Sequence, residues 1–247
     1  MQPTFLTDEV TVATGIGSAE TEAARRFGIK EATRDERRWQ FVRAADGLHL
    51  CSPNSEGPMR LAVCGAQSRL GRRLRSTRVS DPLPRALGVG RKKKNPNLVD
   101  ATAGICRDAM TLATLGCEVV AIERVPALAL FAFLAVADAG LQDRVRVILG
   151  DATEWLGEHA TGIDAVYLDP MFSVTGRAQV KKEMQACRAL AGPDTDASSL
   201  LAVARTTATD RVVVKRHAHH EALARDVSFT VPGERIRFDV YLAAGQS

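Results

Sequence analysis

Four short apolar runs in this 247-residue chain each end at an acid, and the intervals between them have the texture of helices. Leu98-Val99 leads to Asp100, Glu118 to Ile122 leads to Glu123, Val145 to Leu149 leads to Gly150 and Asp151, and Ile163 to Leu168 leads to Asp169. Runs of this length without polar alternation fit strands covered on both faces, which in turn requires helical crossovers and a parallel sheet. In such a sheet ligands bind outside the carboxyl ends of the strands, so the spacing predicts that all four acids share one rim.

The intervening segments agree with that reading. Arg107 to Leu115 reads as a helix stopped by Gly116, and Pro126 opens a long apolar helix running through Ala139, proline being well suited to a first helical position. A helix near Thr153 to Glu158 and another carrying Val180-Lys181-Lys182-Glu183-Met184 complete the crossovers to a fifth buried strand, Arg211 to Lys215. Val227 to Val231 and Ile236 to Tyr241 flank Pro232-Gly233-Glu234 and predict an antiparallel hairpin that closes the sheet.

The chain ahead of this sheet reads differently. Residues 1–66 predict a small mixed α+β lobe. A helix starts near Ser18 and ends at Gly28, and Trp39 to Val42 and Leu48 to Cys51 pair across a turn containing Asp46-Gly47, with Arg60 to Cys64 as a third strand. Residues 67–96 read as a basic connector, and 97–247 as the sheet domain. Between Arg60 and Lys94 there are eleven Lys or Arg against Asp81 alone, although the whole chain has 33 basic and 29 acidic residues and a net charge of only +4. That segregation predicts a polyanion docking on one side, with Arg72, Arg73, Arg75, Lys92 and Lys93 as candidate phosphate contacts. Lys215 and Arg216, leaving a buried strand at the same rim, are candidates for the same role.

Other classes fit poorly. No stretch approaches the roughly 20 apolar residues of a membrane span, and Met1 to Val10 lacks the pattern of a signal peptide, so a cytoplasmic location is expected. The five cysteines form no Cys-x-x-Cys pair and read as reduced thiols. His217, His219 and His220 cluster after a strand, but no carboxylate or cysteine at ligand spacing completes a metal set, and a solvated or phosphate-facing loop is expected. Nothing in the sequence bears on the oligomeric state.

Chemistry concentrates at the strand ends. Asp100-Ala101-Thr102-Ala103-Gly104 is a strand-to-helix entry in which Gly104 lets backbone approach a ligand, yet there is no Gly-x-Gly-x-x-Gly, and Asp108 is unsuited to holding a pyrophosphate. Glu123 is placed to accept both hydroxyls of a ribose. An adenosine without phosphates satisfies both observations, and S-adenosyl-L-methionine is such a ligand, its sulfonium also favoured by nearby acids. Asp169-Pro170-Met171-Phe172 combines hydrogen-bond acceptors, a rigid turn and a ring that can stack on a base. Asp169 and the carbonyls of Asp169 and Pro170 would orient an exocyclic amine, with Phe172 against the base face.

These residues, together with Val180 to Met184, Gly192-Pro193-Asp194, Arg211 to Arg216 and Arg237-Phe238-Asp239, resemble the ribosomal RNA small subunit methyltransferase J family, closely from about Ala86 to Arg216 and more loosely before it. The resemblance implies a Rossmann-like methyltransferase sheet that transfers a methyl group from S-adenosylmethionine to the N2 amine of a guanosine in small-subunit ribosomal RNA. It also implies cofactor contacts at Arg107 and Asp108, Glu123 and Arg124, Asp151 and Ala152, and Asp169. The family pattern has glycine where Cys106 stands, a glycine-rich basic segment where this chain has Gly71 to Arg78, in some members tyrosine in place of Phe172, and proline in place of Ser173. The Cys106 exchange predicts a different bend of the loop or a weaker hold on the cofactor. Two other readings stay open at this point: an amino-methyltransferase acting on DNA adenine or a protein amide, and a non-catalytic RNA-binding assembly factor.

Overall fold

In a computed structural model the chain is described except at residues 1–9, 36, 54–59, 63–68, 92–94, 160, 172–181, 193 and 244–247. Two sheets account for its strands. The first is built from β1 (Val10–Ala13), β2 (Lys30–Ala32), β3 (Trp39–Ala44), β4 (Gly47–Cys51) and β5 (Arg60–Ala62), with α1 (Ser18–Arg26) crossing between β1 and β2. Its order is β2-β1-β3-β4-β5, with β1 parallel to both neighbours and the remaining pairs antiparallel. The β3–β4 turn needs Gly47, whose φ is +131°. β1 carries no alternation because all four of its residues are buried, and β2 is a three-residue charged edge. Neither gives the sequence pattern by which β3 and β4 are recognised.

The segment expected as a connector is partly helical: α2 (Arg69–Ser76) and α3 (Pro82–Ala86) lie within it. Leu70 and Leu74 are four residues apart and so share a helical face, which packs against the main core, while Arg72, Arg73 and Arg75 are exposed. Pro82 and Pro84 start α3 instead of breaking a helix, since an N–H in the first turn has no intrahelical partner to lose.

The second sheet contains β6 (Asn97–Asp100), β7 (Glu118–Glu123), β8 (Val145–Leu149), β9 (Ala165–Leu168), β10 (Arg211–His217), β11 (Phe229–Pro232) and β12 (Ile236–Leu242). The crossovers are α4 (Arg107–Thr114), α5 (Pro126–Asp138), α6 (Ala152–Glu158), α7 (Lys182–Ala191) and α8 (Ala197–Thr207). The order β11-β12-β10-β9-β6-β7-β8 is parallel from β10 to β8, and β12 runs antiparallel to both of its neighbours. This is the mostly parallel sheet with an antiparallel C-terminal hairpin that the apolar runs predict. Chain order reverses between β6 and β9, and a crevice opens at such a switch point because the loops leave in opposite directions.

Helix α5 is apolar around its circumference because it is covered on two sides. One side meets β7 and β8, and the other meets α1 of the first unit. There Phe27 and Phe133 place their ring centroids 5.6 Å apart, and the Arg26 guanidinium lies 5.3 Å from the Phe133 ring. Helix α8, not recognised from the sequence, buries Leu200, Leu201 and Ala204 on the opposite face of the sheet.

The docking of α2 has a measurable consequence. Leu74→Ala is expected to cost about 2 kcal/mol in urea unfolding through the cavity it leaves, whereas a detached connector would lose nothing.

Candidate active site

Asp100, Glu123, Asp151 and Asp169 line one cleft of about 320 Å³ at the carboxyl ends of the parallel strands, beside the β6/β9 switch point. Strand pairing puts them there: Asp100 ends β6, Glu123 ends β7, Asp151 follows β8, and Asp169 follows β9. At one end of the cleft, Glu123 holds the β6–α4 loop. Its carboxylate accepts the Gly104 N–H at 2.7 Å and the Val125 N–H at 2.8 Å. Burial pushes its pKa up to about 7 despite these donors. Asp151 caps α6, accepting the N–H groups of Thr153 at 2.7 Å and Glu154 at 3.1 Å.

The loop between β6 and α4 leaves room for a ligand. Gly104 has φ +52°, and a Cβ added there would meet nothing within 4 Å, so the space before it belongs to the cleft. Cys106 stands where the resemblance expects glycine. It takes the left-handed conformation, φ 62° and ψ 20°, which glycine adopts without strain, and its side chain is buried. The cost of that conformation in an L-residue is about 1–2 kcal/mol. The thiol is not part of the cleft lining, and burial raises its pKa well above the ordinary value.

Charge is most crowded at the other end. The Lys215 ammonium lies 2.9 Å from Asp108 and 2.7 Å from Asp169. Asp108 also accepts the Tyr167 hydroxyl at 2.8 Å and the Arg73 guanidinium at 3.0 Å. Burial alone would raise the Asp108 carboxyl, but Lys215 and Arg73 outweigh it and hold the pKa at about 2. Burial works against the Lys215 charge, yet the two acids raise its pKa above the ordinary lysine value. Asp169 is raised by burial, with Lys215 opposing. Asp100, fully enclosed, is raised well above the usual range by burial and by the proximity of Asp108.

This geometry moves two of the expected phosphate contacts. Lys215 retains only 22% of its side-chain surface and faces the cleft, tied to two carboxylates. Arg216, next on the strand, points to the other face, where it is buried and donates to the Glu221 carbonyl at 2.9 Å. Arg73, with 53% of its side chain exposed, bridges α2 to the cleft mouth through Asp108, and Arg72 and Arg75 are exposed on the same helix. Arg107 and Ala152 line the cleft, as does Pro170. Arg124 lines it too, but its guanidinium pairs with Asp194 and, at 2.9 Å, with Asp196. Phe172, Lys92 and Lys93 lie outside the described residues.

Thr102, Tyr167 and Asp194 complete the site and were given no role from the sequence, although Asp194 lies in the Gly192-Pro193-Asp194 run of the resemblance. Thr102 accepts the Asp169 N–H at 2.6 Å, and Asp194 accepts the Met171 N–H at 2.6 Å. Thr102 carries a local signal, its place in the strand-to-helix entry; Tyr167 reads as an interior strand residue and Asp194 as part of a loop. Among the described residues no group of three or more His, Cys, Asp or Glu is placed to hold a metal ion. The His217 ring lies 5.8 Å from His219 and 5.1 Å from His220, all exposed. No described helix is long and apolar enough to cross a membrane.

A family model described as "Putative SAM-dependent methyltransferase" matches residues 22–243. Ribosomal RNA small subunit methyltransferase J of Thioalkalivibrio sulfidiphilus is 42% identical over 209 residues, covering 79% of this chain and 80% of that protein. The protein of the same name from Laribacter hongkongensis is 40% identical over 217 residues, covering 84% and 76%. The crystal structure of an SAM-dependent methyltransferase from Neisseria gonorrhoeae superimposes with a TM-score of 0.72 at 27% identity, covering 96% of this chain and 97% of that one.

The Lys215 bridge can be tested without any ligand. Lys215→Met leaves Asp108 and Asp169 facing each other without the shared cation and is expected to cost about 2–3 kcal/mol in urea unfolding at pH 7, less than the roughly 3–5 kcal/mol of a fully buried broken pair because Asp169 is partly exposed. Wild-type stability in that variant would show that Lys215 compensates nothing.

Proposed function

Since the chain belongs to the ribosomal RNA small subunit methyltransferase J family of SAM-dependent methyltransferases, we propose that it methylates the exocyclic N2 amine of a guanosine in small-subunit ribosomal RNA. The observation that carries this reading is the shared cleft: an acid able to take ribose hydroxyls and the Asp169-Pro170-Met171 turn face the same space. S-adenosylmethionine supplies a methyl group activated by its sulfonium. Glu123, with Asp151 and Ala152 beside it, would hold the ribose and base end of that cofactor. Asp100, Gly104, Arg107 and Asp108 would hold the remainder, near Asp169.

A guanine amine is a poor nucleophile because its lone pair is delocalised into the ring, so orientation and exclusion of water supply most of the help. The Asp169 carboxylate and the turn carbonyls accept the amine's N–H groups and aim the nitrogen lone pair. As the N–C bond forms and the methyl carbon's bond to the sulfonium sulfur breaks, the Asp169 carboxylate would be positioned to accept the proton the amine loses. Proline at position 170 has no N–H to repel the incoming donors. Exposed Arg72, Arg73 and Arg75 on α2 provide a cationic face beside the cleft mouth for RNA phosphates. An acceptor of this kind places the chain in the cytoplasm. Relatives named for ribosomal RNA and for methyl transfer favour this reading over a DNA or protein acceptor and over a non-catalytic assembly factor.

Incubating wild-type protein with unmodified small subunits, digesting the RNA and analysing nucleosides by mass is expected to yield N2-methylguanosine. Asp169→Ala should lower turnover by about 100-fold or more, and Arg72→Gln with Arg75→Gln should raise KM for RNA while flattening its salt dependence. Methyladenosine, or no product with wild-type protein, would contradict the assignment.

A second expectation concerns pH. Glu123 has a pKa near 7 without ligand, and ribose hydroxyls donating to it favour the carboxylate, so binding expels a proton below that pH. Affinity for S-adenosylhomocysteine is therefore expected to be flat above pH 7 and to fall as pH drops, by up to about tenfold per unit. Glu123→Gln should bind weakly and without this dependence.

A further inference from the structure

We infer that Asp194, locked by Arg124, is a positioning residue that sets the geometry of the Asp169–Met171 turn, an inference that rests on the methyl-transfer reading above. A turn that must aim an amine needs its own backbone fixed, and the hydrogen bonds of this one can be followed residue by residue. The Asp169 N–H goes to Thr102 Oγ1 at 2.6 Å. Pro170 has none. The Met171 N–H goes to Asp194 Oδ2 at 2.6 Å, and the Met171 carbonyl accepts the Asp194 N–H at 3.0 Å. Asp194 thus engages both backbone polar groups of Met171, the N–H through its side chain and the carbonyl through its own backbone.

The grip is itself held. The other carboxylate oxygen of Asp194 pairs with the Arg124 guanidinium, whose second terminal nitrogen donates to Asp196 at 2.9 Å. Asp194 keeps 13% and Arg124 22% of their side-chain surface, so the pair is largely shielded from water, where charge-assisted bonds are stronger and more directional. Arg124 follows Glu123 directly, and Glu123 is fastened to the Gly104 amide. The contacts therefore close on themselves around the cleft: from Thr102 and Gly104 to Glu123 and Arg124, then to Asp194, Met171 and Asp169, and back to Thr102. Arg124 acts on the turn through Asp194, not by touching it.

Asp194→Ala removes the side-chain half of the grip and frees the Met171 N–H. Asp194→Asn keeps an acceptor oxygen but loses the charge that engages Arg124. With saturating RNA and methyl donor, kcat is expected to fall roughly 10- to 100-fold in Asp194→Ala, the scale of a misplacement near 1 Å, and less in Asp194→Asn. Affinity for S-adenosylhomocysteine, measured by calorimetry, should change by less than about threefold, because Asp194 acts on the acceptor turn. Arg124→Gln should reproduce the Asp194→Asn loss, and the double variant should add little to either. Amide hydrogen exchange supplies a readout independent of activity: the Met171 amide should lose protection in Asp194→Ala while amides of β6 and β9 keep theirs. Wild-type kcat in Asp194→Ala, additive losses in the double variant, or unchanged Met171 exchange would each overturn the inference. Failure of wild-type protein to methylate small-subunit RNA would instead overturn the functional reading, and the exchange measurement would still decide the clamp.

Discussion

Acids crowd the carboxyl rim of the parallel sheet, and the protein tolerates them because most of them have a specific compensating partner. Carboxylates in a shielded cleft repel one another and lose hydration, and both effects push toward protonation. Lys215 resolves the densest part of this conflict by placing one ammonium between Asp108 and Asp169. Backbone N–H groups do the same for Glu123 and Asp151, and Arg124 does it for Asp194. The result is a cleft with acceptor-rich walls in which Lys215 and Arg73 hold Asp108 as the anion while burial and the nearby Asp108 push the Asp100 carboxyl well above the usual range. Such a surface suits a ligand that brings hydroxyls, an ammonium and a sulfonium, and opposes one that brings phosphates.

The scaffold serves that rim. Parallel β6, β7 and β9 end together, so three acids converge without any long-range loop. Helix α5 ties the sheet to the first unit, and α2 is pinned on the cleft side by Leu74 and by the Arg73–Asp108 bridge. The exposed arginines Arg72, Arg73 and Arg75 of α2 are consequently held beside the mouth of the site.

Most of the second sheet was legible in the sequence because buried parallel strands leave continuous apolar runs, and an acid closing each run is conspicuous. Glu123 and Asp169 could be placed on one rim from that pattern alone. What escaped has physical reasons. Helix α2 was hidden by its arginines, glycine and serine, since only Leu70 and Leu74 mark its inward face. Lys215 was assigned to phosphates because a cation at a strand end is ordinarily solvated; its pairing with Asp108 and Asp169 depends on residues 107 and 46 positions away. Asp194 lies in a run that carries the resemblance, but its role was not legible, because it arises from a tertiary contact with a turn 23 residues earlier. Cys106 takes the left-handed conformation that glycine adopts freely, and that backbone angle could not be read from the sequence.

The measurement that bears most directly on this account is a crystal structure with S-adenosylhomocysteine bound. The account predicts the ribose hydroxyls within hydrogen-bonding distance of Glu123 and the sulfur facing the Asp169-Pro170 turn across the same cleft. A ligand seated elsewhere, or a ribose distant from Glu123, would contradict it.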